Sequence, residues 1–231
     1  MSGSTSVVDA LRLFDTCRVA NAIETFDVRL RNEGYTDGSV RCLFPERSPV
    51  VGHAVTARIH AATPPPVGHA YHDRTDWWTY VKSVPFPRFV VVQDLDDRPG
   101  AGSFVGEVHA NILRALGCVA LVTNGAVRDV PAVRELGLQM YAASLSPSHA
   151  YAHIVDFGEP VDVAGLHVAS GALLHGDGHG ILVVPDEIAG EIPHVVVEMR
   201  AQERRVIDFC RSPEFSLEGL RATVQDLRGE D

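Results

Sequence analysis

Lysine is almost absent from this chain. Lys82 is the single lysine in 231 residues, and the other nineteen basic side chains are arginines. Without a Gly-Lys-Ser/Thr triplet the phosphate-loop motif is excluded, and Schiff-base chemistry has one candidate nitrogen. Cysteine is scarce too: Cys17, Cys42, Cys118 and Cys210 form no CxxC pair. Neither a zinc knuckle nor a disulfide framework is indicated, so a reducing cytoplasm is the expected setting. Basic runs are missing, and 30 acidic residues against 20 basic ones give a formal charge of −10. Phosphate-backbone affinity needs clustered cations, so nucleic acid is not expected as a partner. No apolar run approaches the ~20 residues that span a bilayer. The opening MSGSTSVVDALRLF has no basic segment ahead of an apolar one, so neither a membrane nor a secretory leader is expected.

What is present is an ordinary globular composition, 45% hydrophobic and 22% charged, long enough to bury a core without staples. Apolar spacing predicts helices over Val7–Phe14 and Val19 to about Leu30, then a half-buried strand over Val50–Thr63 stopped by Pro64-Pro65-Pro66. A polar, aromatic stretch runs from Tyr71 to Tyr80. The middle third alternates strand Phe89–Leu95, a Gly-rich loop, helix 106–116, strand Cys118–Asn124, helix Pro131–Leu136 and strand Leu138–Ser144. Strands alternating with such helices argue for an α/β fold with parallel neighbours. Residues 152–184 read as short strands with Gly turns, followed by helices over about 185–209 and Leu217–Leu227. No linker divides the chain. A single domain over residues 1–231 is expected, with N-terminal helices within about 1–35 and C-terminal helices within about 186–231.

Two Gly-rich segments resemble nucleotide motifs. Gly100-x-Gly102-x-x-x-Gly106 follows a strand and precedes a helix but departs from GxGxxG spacing. The acid expected after the next strand is replaced by Asn124, which argues against a dinucleotide site. Gly176-Asp177-Gly178-His179-Gly180 lies between two apolar strands and reads as a tight hairpin. More informative is Glu107 followed, after twenty residues, by Arg128-Asp129. In a parallel βαβ unit both places fall at the carboxyl ends of strands, where α/β proteins bind ligands. Helix N–H groups over residues 106–109 suit a carboxylate, and Arg128 can grip that carboxylate or a developing enolate. Glu107 and Asp129 are hard oxygen donors suited to Mg²⁺ or Mn²⁺. The residues alone leave plainer readings open: Asp129 as a helix cap, Glu107 as a first-turn charge, Arg128 as a surface ion pair.

GEVHANILRALGCVALVTNGAVRDV and HGDGHGILVVP together resemble the RraA-like family, which includes the 4-hydroxy-4-methyl-2-oxoglutarate / 4-carboxy-4-hydroxy-2-oxoadipate aldolases. The resemblance runs from Asn21-Ala22 through Gly52-x-Ala54-x-Thr56 to the C-terminal helix. It implies an α/β fold, a single β/β/α swivelling-type domain with a mixed sheet and flanking helices, assembled as a homotrimer or hexamer with sites between subunits. It implies a class II lyase that cleaves a 4-hydroxy-2-oxo di- or tricarboxylic acid to pyruvate plus a second oxo acid, with oxaloacetate decarboxylase activity through the same enolate. By that resemblance the backbone of Gly106, Glu107, Val108 and His109 holds the 2-oxo acid carboxylate. Arg128 binds substrate and stabilises the enolate, Asp129 ligates Mg²⁺ (or Mn²⁺), and Glu107 holds metal-bound water. An acid on a neighbouring subunit's C-terminal helix completes the site; Glu203 is the candidate, ahead of Glu198 and Glu187.

The chain departs from the family pattern where Ser170-Gly171-Ala172 replaces Pro-Gly-Asp, where His179 stands for an acid or Asn, and where His109 replaces an apolar residue. Trp77, Trp78 and Tyr80 have no role in the family pattern and are expected to pack against a neighbouring subunit rather than contact substrate. His175 and His179 are expected in structural or rim positions, and Asp94, Asp96 and Asp97 in a solvated loop. The rival from another class is a non-enzymatic regulator that binds a ribonuclease, as the name-giving branch of the family does; Glu107, Arg128 and Asp129 together favour the enzyme.

Overall fold

A computed structural model describes residues 6–66 and 75–228. Residues 1–5, 67–74 and 229–231, including Tyr71 and the first part of its aromatic stretch, lie outside the described residues. The fold is mixed α/β. Its main sheet has nine strands among the described residues, in the order β1 (Arg41–Cys42), β6 (Gln139–Leu145), β5 (Cys118–Val127), β3 (Arg88–Asp94), β2 (Val50–His60), β10 (Leu173–Asp177), β11 (Gly180–Val184). β4 (Ser103–Val105) joins β5, and β7 (His153–Phe157) joins β2. The central β2, β3, β5 and β6 are parallel, while β7, β10 and β11 pair antiparallel.

Strand periodicity sorts the core into layers. In β3, Val90 and Val92 face a cluster containing Leu113, Val133 and Trp77, while Phe89 and Val91 face Val161, Val163, Leu166 and Val168. Successive strand residues point to opposite faces, and both faces are apolar because both are covered. Helices α3 (Thr75–Ser83), α4 (Glu107–Ala115) and α5 (Val130–Glu135) belong to one face. The hairpin of β8 (Val161–Val163) and β9 (Leu166–Val168) covers the other, giving the β/β/α layering. A third cluster packs α1 (Val7–Leu11), α2 (Thr16–Glu24) and α6 (Ile192–Cys210) over β10 and β11, with α7 (Leu217–Arg228) resting on α6.

Several expectations are corrected. The second helix ends at Glu24 rather than near Leu30, and β2 ends at His60, three residues short of Thr63. The long C-terminal helix begins at Ile192, because Pro185–Glu191 forms turns before Pro193 enters the first turn of α6. Trp77 packs inside its own chain, not on a neighbour: it is 1% exposed and meets the Tyr80 and Phe157 rings at 5.8 and 5.9 Å.

The 176–180 segment is the expected hairpin, with Asp177 paired to Gly180 and Gly180 at φ +140°. His175 just before it takes the structural one of the two expected positions, fully buried. Its Nε2 donates to the carbonyls of Leu11 and Phe14, and its Nδ1 lies 3.1 Å from the Thr16 hydroxyl. Burial lowers its pKa. A carbonyl only accepts, so Nε2 carries the proton and Nδ1 accepts from Thr16. Asp177 accepts from the backbone N–H groups of Thr16 and His179, both at 2.8 Å. Burial pushes the Asp177 carboxyl up, but these bonds outweigh it and hold it below the ordinary value.

Candidate functional site

The carboxyl ends of β4 and β5 and the start of α4 enclose a cleft of about 210 Å³. Five of the expected residues line it: Gly106, Val108, His109, Arg128 and Asp129. The key geometry is at Asp129. This residue starts α5 in the left-handed region (φ +56°, ψ +33°), yet its side chain makes no capping bond to its own helix. Instead the Glu107 backbone N–H, at the beginning of α4, donates to Asp129 Oδ2 at 2.9 Å. Gly106, the N-cap of α4, has no side chain to cap with, so Asp129 supplies the acceptor from the next loop. A carboxylate there also suits the positive end of the helix dipole. Arg128 Nε sits 3.5 Å from the same oxygen.

Gly106 makes this approach possible. A Cβ there would lie 2.5 Å from Asp129 Oδ2 and 2.8 Å from Arg128 Nε. The Gly-rich loop therefore serves close packing, with Gly102 in a similar role: a Cβ on Gly102 would lie 2.4 Å from the His149 carbonyl oxygen. That contact seats the 146–152 segment over the cleft, and further bonds run from Ser103 N–H to the Ser148 carbonyl and from the Ser103 hydroxyl to the Ser146 carbonyl.

Arg128 and Asp129 are each partly exposed, at 36% and 42% of their side chains, so both remain open to a ligand. His109 is nearly buried; its Nδ1 faces the Phe104 carbonyl at 3.3 Å and its ring stands edge-on to Phe104 at 4.9 Å. Glu107 is exposed at the helix start and contributes its backbone to the cluster, while its side chain is not among the cleft walls. Glu203 is not brought to the cleft within one chain. It lies on α6, in a separate groove with Arg18, Arg200 and Arg204. Glu198 is also on α6, 3.6 Å from His194.

Sequence reasoning missed Ser103, Phe104, Ile112, His149 and Ala152 as cleft walls. Ile112 carried a signal, lying on the same helix as Val108. His149 and Ala152 carried none, since only the crossover from β6 to β7 brings them there. The acidic loop after β3 is also more built than expected. Asp94 is 2% exposed, accepts the Gly100 N–H at 2.8 Å, and has its carboxyl pushed up by burial. Asp96 accepts from Ala61 and Ala62 N–H groups at 2.9 and 2.7 Å. Only Asp97 keeps the expected exposure.

A family model described as RraA-like, Aldolase/RraA, matches residues 5–183. This chain belongs to the RraA-like family. Solved structures share the fold. An uncharacterised protein from Pseudomonas syringae pv. tomato is 20% identical with TM-score 0.72, covering 96% of this chain and 99% of that one. A protein described under novel cellulases from gut-associated microbes is 20% identical with TM-score 0.71, covering 88% and 90%. Streptomyces coelicolor RraAS2, described as an unusual member of the RNase ES inhibitor RraA family, is 21% identical with TM-score 0.68, covering 88% and 96%. No protein of curated function matches the chain. The RraA-like family contains both lyases and ribonuclease inhibitors, so membership by itself leaves the activity open. No helix among the described residues is long and apolar enough to cross a membrane.

Proposed function

We propose that the cleft is the active site of a divalent-metal-dependent, pyruvate-forming lyase: a class II aldolase for 4-hydroxy-2-oxo di- or tricarboxylic acids that also decarboxylates oxaloacetate. The observation that carries this is the triple contact of Asp129, Arg128 and the α4 N-terminus at one cleft wall. The donor set fits Mg²⁺ or Mn²⁺. Asp129 engages the protein through Oδ2, leaving Oδ1 for a ligand, and Glu107 is exposed one residue past the Gly106 wall. Mg²⁺ is usually held by one or two carboxylates, with water and substrate completing the shell. Among the described residues no group of three or more His, Cys, Asp or Glu is assembled for a metal; Asp129 would ligate it directly and Glu107 would hold a water bound to it. When bound, it supplies Lewis-acid polarisation of the 2-oxo acid.

The chain's own residues account for the remaining chemistry. The α4 N-terminus attracts the substrate carboxylate. The Glu107 carboxylate takes the C4 hydroxyl proton through a water. The C3–C4 bond then breaks: its electron pair becomes the enolate and C4 becomes the carbonyl of the released oxo acid. The Arg128 guanidinium balances the charge that develops on the enolate oxygen, an interaction stronger in the transition state than in the ground state. Reprotonation at C3 gives pyruvate. In oxaloacetate the same C3–C4 bond releases carbon dioxide. A second copy in a trimer or hexamer would bring its Glu203 to the rim.

The test is Asp129→Asn, which keeps an acceptor for the Glu107 N–H while removing the anionic ligand. Mg²⁺-dependent pyruvate release should fall at least ~10²-fold with the fold intact. Unchanged turnover would remove the central ligand. The regulator reading is favoured by the likeness to RraAS2; binding of a ribonuclease together with no turnover of any 2-oxo acid would establish it instead.

A further inference from the structure

His60 closes β2 and His153 opens β7, and the two residues are directly opposite in the antiparallel register. Their imidazole centroids are 6.1 Å apart, with ring planes tilted by 41°. Each ring is fixed from behind through Nδ1. His60 Nδ1 lies 2.8 Å from Asp96 Oδ1, and Asp96 is itself pinned by the N–H groups of Ala61 and Ala62. His153 Nδ1 lies 2.7 Å from the Tyr151 carbonyl, and Tyr151 N–H donates in turn to the Ala61 carbonyl. A carbonyl or a carboxylate can only accept, so both Nδ1 atoms carry protons. In the neutral rings the lone pair then resides on Nε2 in both cases.

We propose that His60 and His153 form a two-imidazole site for a borderline divalent transition-metal ion such as Zn²⁺, Ni²⁺ or Cu²⁺. Metal-binding histidines commonly donate their other ring N–H in this way, here one to a carboxylate and the other to a backbone carbonyl. With metal–nitrogen bonds of about 2.0–2.1 Å, a tetrahedral ion would hold the two ring centroids roughly 5 Å apart, so the rings need close by only about 1 Å to share one. Imidazole pairs select these ions over Mg²⁺, which prefers oxygen, so this site would not compete for the metal of the cleft. His167 and His179 also donate Nδ1 to an aspartate, but among the described residues neither stands in ring contact with a second imidazole. Nor do three metal-binding side chains gather here, so water or a ligand brought by the ion completes the shell. Bound metal would clamp the end of β2 to the start of β7, one residue from the Ala152 wall of the cleft.

The test is Zn²⁺ titration calorimetry on the metal-free full chain, with Cu²⁺ electron paramagnetic resonance alongside. One equivalent should bind ahead of any weaker sites, with two nitrogen ligands in the Cu²⁺ spectrum. His60→Ala and His153→Ala should each weaken that equivalent at least ~10-fold, and Asp96→Asn by about 10-fold with the stoichiometry retained. Mg²⁺-dependent pyruvate release should be unchanged in His60→Ala. If His153→Ala does not fold, the partly exposed His60 carries the test alone. The proposal is overturned if the first equivalent binds as tightly in His60→Ala, or if the Cu²⁺ nitrogen count does not drop in that variant.

Discussion

The cleft and the His175–Asp177 hairpin use the same residue types to opposite ends. At the hairpin, an imidazole and a carboxylate with glycines beside them are sealed under α1 and α2. His175 satisfies two carbonyls and a hydroxyl, and Asp177 accepts two backbone N–H groups. At the cleft, Asp129 and Arg128 remain partly open, and Asp129 engages one N–H from a neighbouring helix. A buried polar group must find its partners within the protein, whereas a partly open one keeps capacity for a ligand. Burial, rather than residue identity, separates scaffold from candidate site in this chain.

That contrast can be broken at either end. The largest effect is expected at the cleft, where Asp129→Ala should cost ~3–4 kcal/mol in pyruvate-forming kcat/KM. It should lower stability by only ~1 kcal/mol, the value of a lost cap; steady-state kinetics and urea unfolding measure the two. His175→Ala should reverse the ratio. It should lose about 3 kcal/mol of stability from a cavity and stranded polar groups, with kcat/KM in the surviving folded protein nearly unchanged. Gly106→Ala forces a Cβ into the Asp129–Arg128 contact. About 10²-fold in kcat should be lost with only a small shift in Tm, since misplacement of roughly 1 Å at a reacting centre costs that much.

The smallest effect concerns pH. The pKa of His175 is lowered in the folded state, so the unfolded chain binds the proton more readily. The stability His175 contributes is therefore fully present above its ordinary value of about 6.5 and is lost as pH falls from there toward the folded value. Tm measured from pH 7.5 down to 5 should decline with a shallower slope in His175→Gln than in the wild type.

The legible parts of the molecule are those with a period. β3 and β5 are continuous apolar runs, long enough to show both strand and parallel neighbour, and Val108, Ile112 and Leu113 mark α4. The hairpin was legible because glycine punctuates it. Helix α3 was not: its buried face rests on Trp77 and Val81 alone, too little to stand out from a polar, aromatic stretch. β4 is three residues long and exists by pairing with the extended end of β5.

At the cleft, the placement of Glu107, Arg128 and Asp129 near strand ends could be read from their spacing. The capping of α4 by Asp129 could not, because it depends on a left-handed residue and on the missing Cβ of Gly106. Asp94 was misread for a similar reason. Its burial follows from the return of Gly100 and the closeness of Gly125, where a Cβ would lie 2.9 Å from the Asp94 carboxylate. Contacts that hinge on tertiary approach leave little local trace in a sequence.

The most direct test of the cleft as a lyase site is pyruvate release from oxaloacetate and from 4-hydroxy-4-methyl-2-oxoglutarate, with Mg²⁺ and again with EDTA. Release should require Mg²⁺, stop with EDTA and disappear in Asp129→Asn. Mg²⁺-dependent release that persists undiminished in Asp129→Asn would contradict a lyase site there, as would no release from either substrate with Mg²⁺ or Mn²⁺.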